Sequence, residues 1–150
     1  MSIFNSMNIS ASALTAQRLR MDIIASNIAN ANTTRATFEN GKWMPYQRKM
    51  VSFSPQAPSF KNYLNAALGR SSVPGEGVKA TQIVQDKSPF KQVYNPGHPD
   101  ADENGFVLMP NVDVLKEMVD LISATRSYEA SVTAFNASKS MALKALEIGR

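Results

Sequence analysis

The stretch from Asn111 to Arg150, NVDVLKEMVDLISATRSYEASVTAFNASKSMALKALEIGR, decides the fold. It holds no proline, and no glycine before Gly149. Apolar side chains recur three and four residues apart at Val114, Met118, Leu121, Tyr128, Val132, Phe135, Ala142 and Leu146. That is the spacing of one face of a helix. Thr125 and Lys139 fall in the same series and weaken it locally, although a lysine stem can lie along a seam with its charge in water. Leu115, Ile122, Met141 and Leu143 add a second row, so the stripe is wider than a simple dimer seam needs. Pro110 discourages an earlier start, Asn111 is the candidate N-cap, and Asp113 falls in the first turn, facing unpaired backbone N–H groups. Gly149 is placed to terminate. At 1.5 Å per residue the predicted helix is about 55 Å long, against about 30–35 Å for a compact domain of this size. Helices of that length belong to coiled coils, bundles or filaments.

The opening of the chain carries a second helical pattern over Ser2–Ala31. Ile3, Met7, Leu14, Met21, Ile24 and Ile28 repeat at near-heptad spacing, interrupted by Ser10 and Gln17. Many other positions are alanine, which favours helix and lets another helix come close. The run SNIANANTT ends the pattern, because asparagine and threonine side chains compete for backbone hydrogen bonds. The helix is expected to stop between Asn30 and Thr33. Asn27 lies earlier, beside Ile28, and either faces water or makes a polar tie between packed helices.

Residues 35–110 are cut by glycines and prolines into pieces too short for long helices. Candidate strands are Tyr46–Phe53, Gly77–Gln85, Phe90–Tyr94 and Gly105–Met109, and one small twisted sheet is expected from them. Residues 55–75 lack a strand pattern and predict a mobile loop, with a helical turn or two around Phe60, Tyr63, Leu64 and Leu68. The fold class is therefore α+β. Long N- and C-terminal helices (1–34 and 111–150) pack as a coiled-coil-like inner domain, and residues 35–110 form a small β-rich middle domain. So small a sheet cannot cover both stripes. The helices should pack on each other and offer their remaining apolar surface to other subunits, and residues 1–30 should order only on assembly.

Composition narrows the function. The net charge of +4 is unevenly spread: +1 over residues 1–34, +6 over 35–95, −3 over 96–110 and zero over 111–150. The long helix has no basic face to follow a phosphate backbone, and the middle cations are scattered, which argues against nucleic acid. With no cysteine there is no disulfide or thiolate chemistry. No segment approaches the length of an apolar bilayer span, and the N-terminus lacks the basic-then-apolar pattern of a cleavable signal peptide. The single histidine, His98, is followed by Asp100, Asp102 and Glu103, a set that reads as an acidic turn rather than as a calcium or magnesium loop. One histidine without cysteine does not make a zinc site. No nucleophile elbow, phosphate-binding loop or dinucleotide fingerprint is present. Glu117 and Asp120, among balancing charges, read as solvated helix surface. No catalytic residue, metal or cofactor is expected.

The two ends, SALTAQRLRMDIIASNIANANTT (12–34) and the 111–150 stretch, resemble the ends of bacterial flagellar axial proteins of the rod and hook family. The short chain, the run NPGHPDADENGFVLMPNVD (95–113) and the ending SMALKALEIGR resemble the proximal-rod branch most. The resemblance is strong in both helices and good over 76–110, but says little about 40–75, where a Pro- and Ser-containing loop is expected as an insertion. It implies a structural, non-enzymatic subunit of the basal-body rod that transmits torque and forms the wall of the export channel, with the β-rich domain outside the helices. It also implies export through the flagellar type III apparatus without a cleavable signal, and a place in the rod crossing the periplasm. Implied partners are FlgB, FlgF and FliE-like subunits and copies of itself, with no nucleic acid and no membrane insertion. The residues matching the family's packing series and motif form the expected assembly interface: Leu14, Met21, Ile24, Asn27, Ile28, Asn30, Met118, Leu121, Ile122, Tyr128, Val132, Phe135 and Leu146. Alternatives are another rod subunit (FlgB-like or distal) and, outside the family, a soluble coiled-coil adaptor forming one closed oligomer.

Overall fold

The computed structural model describes residues 3–39, 41–56, 64, 67–68 and 77–148. Helix α1 (Ile3–Ala29) opens the chain. Six short strands follow: β1 (Thr37–Glu39), β2 (Lys42–Met44), β3 (Lys49–Pro55), β4 (Val78–Gln85), β5 (Lys91–Tyr94) and β6 (Phe106–Met109). Helix α2 (Val114–Ile148) closes it with 35 residues. The α+β class and the order helix, strands, helix are as the sequence predicts.

The helix ends have local causes. Past Ala29, Asn30 still donates its backbone N–H to the Ser26 carbonyl (3.1 Å), but its side chain takes the same oxygen at 2.9 Å. Tighter bonds, Ala31 to Ile28 and Thr33 to Asn30, then turn the chain out of the helix. At the start of α2 the N-cap is Asp113 and not Asn111. The Asp113 carboxylate accepts from the N–H groups of Leu115 (3.1 Å) and Lys116 (3.5 Å), and its carbonyl accepts from Glu117 N–H at 2.9 Å. Asn111 is held elsewhere: its side chain accepts from Arg48 N–H at 2.8 Å and donates to the carbonyls of Asp86 and Ser88.

The strands do not merge into the one sheet expected. Among the described residues they form three two-stranded sheets, β1–β2, β3–β4 and β5–β6. All of β5, all of β1 and most of β4 are exposed, so among the described residues these strands do not bury a shared face against one another. The β1–β2 hairpin, absent from the sequence expectation, pairs Glu39 with Lys42, and Gly41 takes the positive φ of 79° that a tight hairpin turn demands. In β5–β6, Tyr94 pairs with Phe106, and their rings meet edge to face at 5.4 Å. The expected mobile loop at 55–75 and its helical turn fall largely outside the described residues. Of them, Leu68 donates to the Leu64 carbonyl at 3.0 Å, one helical bond.

The chain divides into two compact units, each drawing on both helices. The first comprises Met1–Leu19, Ser52–Gln82 and Thr125–Arg150. In it Ala16 and Ser138 are buried, and Ser12 Oγ accepts from the N–H of Val78 at 3.0 Å. That contact requires glycine next door, since a Cβ on Gly77 would collide with the Ser12 hydroxyl. The second unit comprises Arg20–Val51 and Ile83–Ala124. It holds most of the buried apolar side chains, Ile23, Ile24, Tyr46, Val107, Val112 and Ala124. Within it α1 and α2 run antiparallel: Arg20 meets Asp120 at 3.5 Å, and Asn27, further along α1, meets Glu117, earlier on α2, at 3.0 Å.

Candidate assembly site

The centre of the second unit is polar. Glu117 and Asn27 are each only 1% exposed, more deeply buried than most of the apolar residues around them. The Asn27 amide donates to Glu117 Oε2 (3.0 Å) and to the Lys49 carbonyl (2.9 Å). Its oxygen accepts from Lys49 N–H and from the Tyr46 hydroxyl, both at 3.0 Å. Glu117 Oε1 accepts from Arg48 Nε at 2.7 Å, and Arg48 also reaches Asp86 at 3.4 Å and Asp120 at 3.9 Å. One asparagine thus fills its hydrogen-bonding capacity with a helix, a strand and an aromatic side chain. The tie foreseen as one of two options for Asn27 is present, made through Glu117.

Glu117 itself corrects the sequence expectation. It is not solvated surface but the buried acceptor on which α1, α2 and the chain at Arg48 converge. A carboxylate is tolerated there because its oxygens find an arginine and an amide. Burial works against the Arg48 charge, but Glu117 and then Asp86 outweigh it and hold the guanidinium pKa above its ordinary value. Asp86 is held below the usual aspartate value, first by hydrogen bonds from the Ser88 side chain and backbone, then by Arg48.

The acidic turn is occupied by its own chain. Arg35 and Thr34 donate to the Asp100 carboxylate, and Asp100 N–H donates to His98 Nδ1 at 3.1 Å. Arg35 first, then Thr34, lowers the Asp100 pKa. Among the described residues no group of three His, Cys, Asp or Glu stands ready for a metal. Open grooves of about 380 Å³ and about 420 Å³ flank the β1–β2 hairpin and share Met44 and Pro45.

The expected interface residues divide by burial. Ile24 and Asn27 are buried within the chain, and Leu14, Met21, Ile28 and Asn30 are half-buried. On α2, Leu121, Tyr128, Val132 and Phe135 are half-buried, whereas Met118, Ile122 and Leu146 are exposed. The least exposed row of α2 passes through Glu117, Leu121, Ala124, Tyr128, Ser131, Phe135, Ser138 and Ala142, alternating large with small or polar side chains. Ranking by hydrophobicity alone chooses Met118 over Glu117 and Val132 over Ser131. On the opposite side Leu115 (77% exposed), Val119 (67%) and Ile122 (62%) follow helical spacing in solvent. An exposed apolar row of this kind on a charge-balanced helix is a candidate surface for protein–protein contact.

Comparison with known proteins agrees on the class. Residues 7–37 match the family described as "Flagella basal body rod protein", and residues 103–148 match "Flagellar basal body rod FlgEFG protein C-terminal". Both helices therefore belong to flagellar rod subunits. Three "Flagellar basal-body rod protein FlgC" sequences fix the branch. The one from Bacillus subtilis (strain 168) is 57% identical over the full length of both chains. That from Escherichia coli O157:H7 is 43% identical, again over both full lengths. That from Borreliella burgdorferi is 43% identical over 99% of this chain and 98% of its own. The chain belongs to the FlgC family, structural subunits of the rod of the flagellar basal body.

Proposed function

We propose that this rod subunit builds the proximal section of the rod, joining the MS ring and export gate to the distal rod. Both helices form the wall of the export channel, the strand-rich region lies outside them, and the tube transmits torque. The observation that carries this reading is α2, which buries a glutamate within its own chain and leaves Leu115, Val119 and Ile122 for others. A subunit that must not close into a ring uses heterologous contacts, so unlike faces of neighbours meet. The interface comprises the thirteen residues named from the sequence, with the exposed Met118, Ile122 and Leu146 as direct contacts and the buried Ile24 and Asn27 as support. Neighbours are FlgB, FlgF and FliE-like subunits and copies of itself. The chain has no enzymatic role, passes the type III export apparatus without a cleavable signal, and crosses the periplasm as part of the rod.

The free chain orders its first helix fully only on assembly. The joint at Asn27 holds the end of α1 within the chain, so the dependence falls on the part before it. Full helicity by circular dichroism at low concentration would count against this. Leu121→Asp, which puts a charge on the half-buried row of α2, should leave export intact and stop rod assembly; normal motility would remove Leu121 from the interface.

The deciding experiment is cryo-electron microscopy of basal bodies isolated from the source organism. Density for this chain between the MS ring and the distal rod is the expected result. Its absence from the particles would overturn the reading and favour the soluble adaptor.

A further inference from the structure

The outward rows of the two helices match each other in spacing, size and charge. On α2 the exposed positions Leu115, Val119, Ile122, Arg126 and Glu129 alternate four and three residues apart. On α1 the exposed positions Arg18, Asp22, Ala25 and Ala29 do the same. This is the period of two helices in a coiled-coil seam. Among the described residues neither Arg18 nor Asp22 takes part in an ion pair, whereas Arg126 and Glu129 pair only with each other, at 2.9 Å.

Laid antiparallel, the rows set Arg18 against Glu129, Asp22 against Arg126, Ala25 against Ile122 and Ala29 against Val119. Each charge meets its opposite, and Ile122 and Val119 each meet a methyl group with room above it, while Leu115 falls beyond the end of α1. Laid parallel with the charges level, the rows would oppose Arg18 to Arg126 and Asp22 to Glu129. The antiparallel order is also the one a polar array requires. Within the second unit α1 and α2 are already antiparallel, so in neighbours pointing the same way α1 of one and α2 of the next are antiparallel too. We propose that the outer row of α2 docks on the outer row of α1 of a second copy of this chain, in the register that places Arg18 beside Glu129 and Ala25 beside Ile122. This rests on the rod reading above and specifies the contact between copies.

The chain has no cysteine, so engineered thiols report without background. Ala25→Cys and Ile122→Cys, co-expressed as two separate variants in a strain lacking the native protein, should give a disulfide-linked dimer in isolated, oxidised basal bodies, and neither variant alone should do so. Thiols bridge only when the two Cα atoms lie within about 7 Å, so the linkage tests register as well as proximity. Particles that contain both variants but yield no dimer, or dimer equally from a single variant, would overturn the proposed register while leaving the rod assignment standing. Absence of the protein from the particles would instead strike the rod assignment. A second test avoids thiols: Arg18→Glu should lower incorporation about five-fold, and adding Glu129→Arg should restore it. No rescue by the double variant would overturn the pairing.

Discussion

The two sides of α2 within the second unit are inverted relative to an ordinary surface helix. The inner side carries Glu117 at 1% exposure, and the outer side carries Leu115 at 77%. Apolar contact is non-directional, whereas a carboxylate shared by an arginine and an asparagine is satisfied in one geometry. Direction is therefore set inside the chain, where the angle between helices is fixed, and apolar surface is left exposed outside. A monomeric enzyme would have the opposite distribution.

This contrast can be broken from either side. On the free subunit the largest loss should come from Glu117→Ala, which strands the Asn27 amide and part of the Arg48 charge. About 3 kcal/mol is expected, the low end for breaking a buried pair because Asp86 and Asp120 remain near Arg48. Chemical denaturation of the purified protein measures it; a loss below about 1 kcal/mol would mean that the joint is not decisive. Asn27→Ala comes next, at about 2 kcal/mol, since it leaves the Lys49 backbone without its side-chain partner and the Tyr46 hydroxyl with only the more distant Ser26 Oγ at 3.4 Å. Asp113→Ala removes the cap of α2 and should cost about 1 kcal/mol, whereas Asn111→Ala would have been the costlier cap change had the helix started earlier.

The outer side should behave in reverse. Ile122→Asp is expected to change the stability of the free subunit by no more than about 0.5 kcal/mol, because the site is already in water. In cells the same change should abolish motility, read in soft agar. Loss of both folding and motility would show that Ile122 serves the chain's own core and would erase the division between the two sides. The smallest effect concerns Asp100. Its pKa is depressed by Arg35 and Thr34, so its stabilisation is fully present above the ordinary aspartate value near 4 and is lost as pH falls through the depressed value. Asp100→Asn should flatten that acid limb of the stability profile and leave neutral-pH behaviour nearly unchanged.

Much of the fold was legible because its signals are local. The 3.6-residue period of 111–150 and the SNIANANTT stop yield both helices, and the four strands expected between Tyr46 and Met109 lie close to their observed bounds. The β1–β2 hairpin was missed although its signal was there: the dipeptide Asn40–Gly41 between the aromatics Phe38 and Trp43. Glu117 was misread for a different reason. Its partners Asn27 and Arg48 are 90 and 69 residues away in sequence, and a helix-surface glutamate beside Lys116 looks solvated until the fold brings those groups together. The misplaced cap has the same origin, since Asn111 and Asp113 both suit the role and the tie from Asn111 to Arg48 decides between them. Hydrophobicity found Leu121, Tyr128 and Phe135 but passed over Ala124, Ser131 and Ser138, small side chains that a search for large apolar residues does not select.

The β1–β2 hairpin gives the molecule a built-in optical probe. Trp43 is the only tryptophan of the chain; it is 53% exposed and leans on Phe38 with ring centroids 5.2 Å apart. Its emission maximum reports the polarity around a surface hairpin rather than the state of the core. A shift to shorter wavelength on mixing with other rod subunits would therefore register the covering of that hairpin directly, without any label and at concentrations where light scattering is silent.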